Sequence, residues 1–400
     1  MMFDVQKFRS HFPYFNHSDA VVYLDNAATS LKPQTLIDAT VEFYQSAGSV
    51  HRSQYDEKQT TQYEQARTRV RQLINAESDK AIIWTSGTTQ AINTVANGLI
   101  PYIQKDDEII ISEADHHANF VTWSEIAKKC GAKLHILPIL DNWLIDERSL
   151  LCCLNSKTKV VALNFVSNVT GTEQPIQHFI KLIRQHSSAL VSVDAAQAIS
   201  HMKIDIQKLD ADFLSFSAHK LYGPNGIGVL TGKLAALELL QPLLYGGKMV
   251  EQVSNQAIRF SELPYRLEAG TPNIAGVIGF NAVLEWLQQW DLEQAEQQTI
   301  ALAEQVKVRL KNYKNCLQFS SPQPSSVISF VFTDIASSDL ATLLAEQNIA
   351  LRTGVHCAQP YLARLAQNST LRLSFAPYNS QQDVDAFFTA LDNSLELLTE

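Results

Sequence analysis

Lys220 stands at the end of an apolar run, where a buried strand would deliver its last side chains into a pocket. The run is Asp212-Phe213-Leu214-Ser215-Phe216, and Gly223-Pro224 follows it closely. A desolvated lysine loses its proton readily, and the free amine can condense with an aldehyde. Ser217 and His219 could hold a phosphate, so the stretch suggests a lysine that binds pyridoxal phosphate. Taken alone, this stretch favours a solvated surface lysine. Residues upstream in the sequence decide between that interpretation and a cofactor-binding lysine.

Asp194 is an acid that ends a second apolar run, Leu190-Val191-Ser192-Val193. Such an acid can pair with a protonated pyridine nitrogen, and it also resembles the magnesium-binding acid of a nucleotide hydrolase. The sequence has no G-x-x-x-x-G-K-[ST] loop, which disfavours the hydrolase. Gln197 could hydrogen-bond the hydroxyl oxygen of the pyridine ring. An ordinary glutamine on a helix surface would fit the same position in the sequence equally well.

Three further groups of polar residues follow expected strands. Thr88 and Thr89, after Gly87, would begin a helix whose N-terminus can hold a phosphate, and an ordinary capping threonine is the alternative. His116 could stack on a flat ring and move protons, while a zinc site there would need further ligands, and none adjoins it. Asn168 lies in a turn, where asparagine is also common for conformational reasons.

Cys357 lies in the glycine-containing loop Arg352-Thr353-Gly354-Val355-His356-Cys357. We expect the neighbouring His356 to supply a cation that, with local dipoles, favours the thiolate. An isolated His-Cys pair is more often structural, but in the company of the cofactor motifs we favour a nucleophile. Arg372 could grip a carboxylate with two parallel hydrogen bonds. The remaining cysteines have helix or strand contexts typical of inert positions: Cys130, Cys152, Cys153 and Cys316.

The elements that must position these residues alternate between strand and helix. Nearly continuous Val, Ile, Leu and Phe runs predict strands at 81–85, 108–112, 133–138, 160–166, 190–194, 212–216 and 227–230. Such strands, separated by helices, predict an α/β fold with a mostly parallel sheet covered on both faces. Ligands of these sheets bind beyond the carboxyl ends of the strands, where the polar candidates fall.

The rest of the chain predicts a second, smaller unit. Long helices are expected from 275 to about 313, then strands at 327–332, 349–352 and 371–375 and a last helix at 381–398. The first residues form a short segment whose aromatic face, with Phe8 and Phe12, docks on the body. We therefore expect an N-terminal segment at 1–20, a large domain at 21–265 and a small C-terminal domain at 266–400 that carries the cysteine loop.

Composition excludes several classes of protein. The 46% hydrophobic content is typical of a soluble globular enzyme. The 32 basic and 41 acidic residues give a net charge of -9, so we expect no nucleic-acid partner. No apolar run is long enough to span a bilayer, and no basic-then-apolar signal pattern begins the sequence, so we expect no membrane partner and a cytoplasmic location. Five cysteines without a C-x-x-C pair suggest neither a disulfide framework nor a metal site.

Six separated motifs keep one order along nearly the whole chain. They are Gly87-Thr88-Thr89, His116-His117-Ala118-Asn119, Ser167-Asn168-Val169-Thr170-Gly171, Val193-Asp194-Ala195-Ala196-Gln197, Ser217-Ala218-His219-Lys220 and Glu268-Ala269-Gly270-Thr271-Pro272. In this order they resemble the class V aminotransferase superfamily of fold-type I pyridoxal phosphate enzymes. With the loop around Cys357, the sequence resembles the group II cysteine desulfurases, which include cysteine sulfinate desulfinases and selenocysteine lyases.

The resemblance implies a fold with a seven-stranded sheet, and it implies roles for individual residues. Thr88, Thr89, Ser217 and His219 would hold the cofactor phosphate. Thr271 would reach the phosphate in the partner subunit's site, so a homodimer would be needed. Substrate would be bound by Arg372, which takes the carboxylate, together with Asn168, His51 and Arg352. The short interval between Cys357 and Arg372 implies an ordered loop and a strong need for a small sulfur-acceptor protein.

The reaction implied is removal of sulfur from L-cysteine, which leaves L-alanine and a persulfide on Cys357. Lys220 would be the base and His116 would assist proton transfer. The sulfur would pass to the acceptor, for example for iron–sulfur cluster assembly. The alternatives are a selenocysteine lyase or cysteine sulfinate desulfinase, an aminotransferase or epimerase that would not need Cys357, and a non-catalytic scaffold for sulfur transfer.

Overall fold

The computed structural model of the chain describes residues 3–17, 20–46 and 48–399. Its strands are β1 Val22–Tyr23, β2 Ile82–Thr85, β3 Glu108–Ser112, β4 Lys133–Leu137, β5 Thr158–Asn164, β6 Leu190–Asp194, β7 Phe213–Ser217, β8 Gly228–Gly232, β9 Val250–Val253, β10 Ile258–Phe260, β11 Cys316–Phe319, β12 Val327–Phe332, β13 Ile349–Ala350, β14 Arg352–Gly354 and β15 Thr370–Ser374. Its helices are α1 Val5–Arg9, α2 Gln34–Tyr44, α3 Glu57–Ile74, α4 Thr88–Gly98, α5 His117–Cys130, α6 Glu147–Cys153, α7 Ile176–His186, α8 Ala198–His201, α9 Ile206–Leu209, α10 Leu234–Leu239, α11 Ile274–Leu287, α12 Leu292–Leu310, α13 Ser337–Glu346, α14 Gln359–Arg364 and α15 Gln381–Thr399.

Seven strands form the larger sheet in the order β2-β8-β7-β6-β5-β3-β4. The pairs from β7 to β4 are parallel, and β8 runs antiparallel to both of its neighbours. Six of these strands are mostly buried because helices cover both faces of the sheet, whereas the edge strand β4 has only Leu137 buried. The predicted mostly parallel seven-stranded sheet is confirmed.

The carboxyl ends of three adjacent parallel strands bring the polar candidates together. Asn164 at the end of β5 pairs in register with Asp194 at the end of β6, and Asp194 pairs with Ser215 of β7. Ser217 then ends β7, and Lys220 follows in a short helical turn. These side chains therefore share one edge of the sheet.

A smaller antiparallel sheet follows, in the order β11-β12-β15-β14. Helices α12, α13 and α15 pack on it, which confirms a second, smaller α/β unit. Strand β1 pairs in parallel with β13, so the chain near residue 22 lies beside this unit. The division at residues 20 and 265 stays a prediction, and residues 1, 2, 18, 19 and 400 of its outer segments lie outside the described residues.

The N-terminal segment docks through its aromatic side chains, as predicted. Phe8 and Phe12 are fully buried, and both rings contact Trp286 of α11. Arg9 adds an ion pair with Asp383 of α15, with 2.9 Å between Nη1 and Oδ2. The segment therefore contacts both the helix that follows the larger sheet and the last helix of the chain.

The described residues contain neither a membrane-spanning helix nor a group of side chains that could hold a metal ion. Among the helices of 3–17, 20–46 and 48–399, none combines the length and apolarity that crossing a membrane requires. The same ranges contain no group of three or more His, Cys, Asp or Glu side chains placed to hold a metal ion.

Candidate active site

A cavity of about 180 Å³ opens at the carboxyl ends of β5, β6 and β7. The structure brings eleven of the predicted site residues to its wall, and the remaining three, Cys357, His51 and Thr271, lie elsewhere. The eleven are Thr88, Thr89, His116, Asn168, Asp194, Gln197, Ser217, His219, Lys220, Arg352 and Arg372.

Lys220 projects into this cavity from the turn after β7. Burial lowers the pKa of its ammonium group from the ordinary 10.5 to about 8, although the negative charge of Asp194 opposes the shift. A substantial fraction of the amine is therefore neutral near physiological pH. A neutral amine is the form that attacks an aldehyde or takes up a proton.

Asp194 and Gln197 form the floor of the cavity. Asp194 is buried, accepts a hydrogen bond from the Ala196 amide at 2.9 Å, and has a pKa that burial raises. Gln197 donates its Nε2 to the Ala27 carbonyl at 2.8 Å, while its Oε1 and the Oδ1 of Asn164 are buried without a hydrogen-bond partner in the described residues. Buried acceptors of this kind fit a polar ligand that supplies donors, as a protonated pyridine ring does.

The opposite wall is the N-terminus of α4. The Ser217 hydroxyl accepts a hydrogen bond from the Thr88 amide at 2.8 Å and lies 2.7 Å from the Thr88 hydroxyl. The chain bends here at Gly87, and a methyl group on Gly228 would lie 2.4 Å from the Gly87 Cα. Amides and hydroxyls that converge at a helix N-terminus bind phosphate well, so this wall fits the phosphate of the same ligand.

His116 is neutral in this setting. Its Nδ1 accepts a hydrogen bond from the Ala118 amide at 3.0 Å, which leaves Nε2 to carry the proton. Burial, helped by the positive charge of Lys220, lowers the pKa of the imidazole to about 4. The ring can therefore donate a hydrogen bond from Nε2 across the physiological pH range.

Arg372 is completely buried and is held by two groups. Its Nη1 donates to the Asn168 carbonyl at 2.9 Å, and its Nη2 lies 2.6 Å from Asp25 Oδ1. Its Nε has no partner within the described residues. Asp25 fixes the guanidinium at the cavity wall, and we had not predicted it. An acid directly after the apolar run 21–24 was the available signal, the same signal that identified Asp194.

Cys357 lies beside the cavity rather than in its wall. It lines a neighbouring groove of about 700 Å³, and Thr89, His116 and Ala118 line both spaces. Arg352 Nη2 is 3.8 Å from Cys357 Sγ, and the Cys357 carbonyl accepts a hydrogen bond from the His117 amide at 2.8 Å. The cysteine is therefore next to the Lys220 cavity and opens towards solvent.

The expectation that His356 supplies the cation beside Cys357 is wrong. The His356 ring is buried, its Nε2 lies 2.8 Å from the Thr370 hydroxyl, and burial lowers its pKa to about 3. The ring is thus neutral and engaged on the other side of the loop. The positive group that contacts the sulfur is Arg352, five residues earlier, with 3.8 Å between Nη2 and Sγ.

His51 and Thr271 do not reach the Lys220 cavity within one chain. Together they line a separate pocket of about 350 Å³, next to Lys248 and Gly270. His51 Nε2 lies 3.1 Å from Glu64 Oε1. Their predicted contacts with substrate and phosphate therefore require another subunit.

Lys32 is a second residue that sequence reasoning missed. Its Nζ donates to the His219 carbonyl at 3.0 Å, and the hydroxyls of Thr29 and Ser30 donate to the same oxygen. Burial lowers the pKa of Lys32 to about 7. The peptide before Lys220 is thus fixed by the segment 25–32, and no feature of the sequence marks Lys32 as a contact of this turn.

Comparison with known proteins places this geometry in a family. Residues 22–387 match the family described as aminotransferase class-V. A protein of Pasteurella multocida called "Probable cysteine desulfurase" is 73% identical over 100% of this chain and 94% of its own length. The cysteine desulfurase CsdA of Escherichia coli is 48% identical over the full length of both. Its crystal structure superimposes with a TM-score of 0.94 and covers 99% of this chain and 100% of the other, at 47% identity.

These matches confirm the predicted resemblance and the predicted fold class. They span both sheets, and the family match includes every predicted site residue from His51 to Arg372. The chain therefore belongs to the class V aminotransferase family.

Proposed function

We propose that the chain is a cysteine desulfurase that removes sulfur from L-cysteine, releases L-alanine and retains the sulfur as a persulfide on Cys357. The observation that carries this proposal is the position of Cys357 Sγ, 3.8 Å from Arg352, a residue that also lines the Lys220 cavity. Arg352 thus connects the cavity of the Lys220 amine with the sulfur of Cys357, an arrangement that supports their action on one small amino acid. An aminotransferase has no chemical use for such a cysteine.

Pyridoxal phosphate is the cofactor that the family implies, and the residues of the cavity fit it. Lys220 would hold its aldehyde carbon, Asp194 its ring nitrogen and Gln197 its ring hydroxyl. Thr88, Thr89, Ser217 and His219 would hold its phosphate, and His116 would lie against its ring. When bound, the cofactor supplies an electron sink that makes the Cα–H bond of an attached amino acid acidic.

The chain's own groups then orient and deprotonate the substrate. Arg372 would bind the carboxylate, because Asp25 and the Asn168 carbonyl already fix the plane of its guanidinium. Lys220, with its pKa lowered to about 8, would accept the Cα proton. His116 would donate a hydrogen bond from Nε2 and stay neutral throughout.

Cys357 would carry out the sulfur transfer as a thiolate. Its sulfur attacks the substrate sulfur, an S–S bond forms, and the Cβ–S bond breaks with its electron pair remaining on carbon. The carbon fragment takes up two protons, one at Cβ and one that Lys220 returns to Cα, and leaves as alanine. The enzyme keeps the sulfur as a persulfide, and no external oxidant or reductant is needed.

A second copy of the chain would complete each site. His51 and Thr271 line a pocket outside the Lys220 cavity, so both could serve a partner subunit. Large apolar side chains close to this pocket in sequence are exposed: Tyr55 by 80%, Tyr245 by 67% and Ile258 by 60%. Exposed apolar side chains that gather in one patch mark protein–protein interfaces, so this surface is the one that we assign to a homodimer contact.

The persulfide would be passed to a small acceptor protein with its own reactive thiol. The groove at Cys357 is open, and its rim carries exposed Val121. A protein cysteine can therefore approach the persulfide from the solvent side, whereas the Lys220 cavity admits only small molecules. The acceptor is therefore defined by its chemistry, as a small protein with a reactive thiol.

The deciding experiment measures alanine and protein-bound persulfide after L-cysteine is added to the purified holoenzyme. We expect both products in the wild type and in Cys152→Ser, which removes an exposed thiol on α6. Cys357→Ser should form no persulfide but should retain the visible absorbance of the cofactor. It should also retain breakdown of cysteine sulfinate, whose sulfur leaves without a nucleophile. Persulfide formation by Cys357→Ser would refute the assignment.

A further inference from the structure

Strand β15 carries two buried side chains that reach different parts of the site. Thr370 and Arg372 are two residues apart, so their side chains leave the same face of the strand. The Thr370 hydroxyl lies 2.8 Å from His356 Nε2, and the Arg372 guanidinium lies in the wall of the Lys220 cavity. Both residues have no exposed surface. One rigid element is thus connected to the cysteine loop and to the carboxylate site.

His356 is held from a second side as well. Its carbonyl accepts a hydrogen bond from Asn168 Nδ2 at 2.7 Å, and the carbonyl of Asn168 accepts from Arg372 Nη1 at 2.9 Å. Asn168 therefore joins the loop to the same arginine. Each of the three contacts involves buried groups, which water competes for poorly.

The loop needs such contacts because its backbone is strained. His356 and Cys357 are consecutive non-glycine residues with φ of 50° and 55°. Side chains other than glycine adopt this region only where surrounding contacts impose it. With the His356 ring fixed on Thr370, the next residue turns its sulfur the other way, towards Arg352.

We infer that Thr370 is a positioning residue for Cys357, acting through the His356 ring, and that β15 thereby sets the separation between the attacking sulfur and Arg372. The inference rests on the proposed desulfurase function. Its consequence is confined to sulfur transfer to Cys357. A reaction that needs Lys220 and Arg372 but no sulfur nucleophile, such as cysteine sulfinate breakdown, should not depend on Thr370.

Two matched substitutions test the inference, Thr370→Val and Thr370→Ser. Valine keeps the shape of threonine but loses the hydroxyl, whereas serine keeps the hydroxyl. Persulfide formation in a single turnover of the holoenzyme should fall about 10- to 100-fold in Thr370→Val, which is the usual cost of misplacing a reacting group. Thr370→Ser should stay close to the wild-type rate. The KM for L-cysteine and the cofactor absorbance should be unchanged in both, because Arg372 and Lys220 are intact.

Cysteine sulfinate separates positioning from a general structural role, because its breakdown does not use the Cys357 nucleophile. We expect Thr370→Val to slow persulfide formation from L-cysteine while alanine release from cysteine sulfinate stays at the wild-type rate. A partly unfolded enzyme would lose activity on both substrates equally. His356→Gln and His356→Leu give a second pair for the same assay, and glutamine, which can still hydrogen-bond Thr370, should retain more of the persulfide formation.

The outcomes are distinguishable. Equal persulfide rates in Thr370→Val and Thr370→Ser, or a loss on cysteine sulfinate as large as the loss on L-cysteine, would overturn the inference and leave the proposed function standing. A wild-type holoenzyme that forms neither alanine nor persulfide from L-cysteine would overturn the proposed function, and the inference with it.

Discussion

Arg352 and Arg372 lie directly opposite each other on the antiparallel strands β14 and β15, yet they contact different groups. Arg352 contacts the sulfur of Cys357, and Arg372 contacts Asp25 and the carbonyl of Asn168. The two guanidinium groups therefore project from paired positions but contact different parts of the site, the sulfur and the cavity wall. Their substitution should separate activation of the nucleophile from binding of the substrate.

Substitution of Arg352 by glutamine should slow the reactions of Cys357. Without the guanidinium beside it, negative charge on the attacking sulfur loses its electrostatic stabilisation, and we expect alkylation of Cys357 at pH 7 to slow about 10-fold. The measurement is the rate of Cys357 alkylation by iodoacetamide, followed by mass spectrometry. Arg364→Gln, which removes a surface cation paired with Asp141, is the control and should change nothing. Equal rates in both variants would contradict a role for Arg352 at the sulfur.

Substitution of Arg372 by lysine should instead raise the KM for L-cysteine. A lysine cannot form two parallel hydrogen bonds with a carboxylate while it also satisfies Asp25 and Asn168. We expect KM, measured by alanine release, to rise about 10- to 100-fold. Alkylation of Cys357 should keep its wild-type rate. An unchanged KM would show that the carboxylate binds elsewhere.

The lowered pKa of Lys220 predicts how cofactor uptake depends on pH. A pKa of about 8 leaves roughly a tenth of the amine neutral at pH 7 and roughly nine tenths at pH 9, so uptake should accelerate about 10-fold over this interval. An ordinary lysine, with a pKa of 10.5, would instead accelerate uptake about 100-fold over this interval without levelling off, because only about 3% of it is neutral at pH 9. The measurement is the rise in visible absorbance when pyridoxal phosphate is added to apoprotein. Lys220→Arg is the control, and it should give no such band at any pH.

Gly228 should not tolerate a larger residue, because it lies against the backbone of Gly87. A Cβ at this position would lie 2.4 Å from the Gly87 Cα, and backbone cannot move aside as a side chain can. We expect Gly228→Ala to lower the free energy of unfolding by about 1–3 kcal/mol, the usual cost of overpacking, and to weaken cofactor binding. Gly247→Ala, where nothing lies within 4 Å, is the matched control. Denaturant unfolding and cofactor titration would distinguish them, and equal behaviour would contradict the close approach.

The exposed apolar residues near His51 and Thr271 predict the effect of charge on assembly. We expect Ile258→Glu, on β10, to convert a dimer into a monomer, because a carboxylate is costly to bury in an apolar interface. Val308→Glu, at an equally exposed valine on α12, should leave the dimer intact. Analytical ultracentrifugation would measure the mass. A dimer that survives Ile258→Glu would move the interface away from this surface.

Much of the larger sheet could be predicted because its strands are buried on both faces. The predicted strands at 108–112 and 190–194 coincide with β3 and β6 in full, because a short, mostly apolar run is typical of a buried strand. The hairpin of β9 and β10 escaped prediction, because most of its side chains are exposed and carry no alternation. The run 349–352 was expected as one strand and forms two, β13 and β14, which pair with different partners.

Long-range contacts limited the prediction of the site. Lys220 and Asp194 were recognisable because each follows its own strand, so local sequence places both at one edge of the sheet. His356 was misjudged, because adjacency in sequence does not fix direction when the backbone turns through two positive φ angles. The contacts of Asp25 and Lys32 join segments far apart in sequence, and no local pattern encodes them.

The pairing of Asp25 with Arg372 bridges 347 positions of the chain. During synthesis on the ribosome, Asp25 emerges early, whereas Arg372 emerges only after almost the whole chain has been made. Lys220 is made well before that moment. The nascent chain therefore contains Lys220 and the strands of the larger sheet before the Asp25–Arg372 contact can form, and the carboxylate site that we propose is completed only near the end of translation.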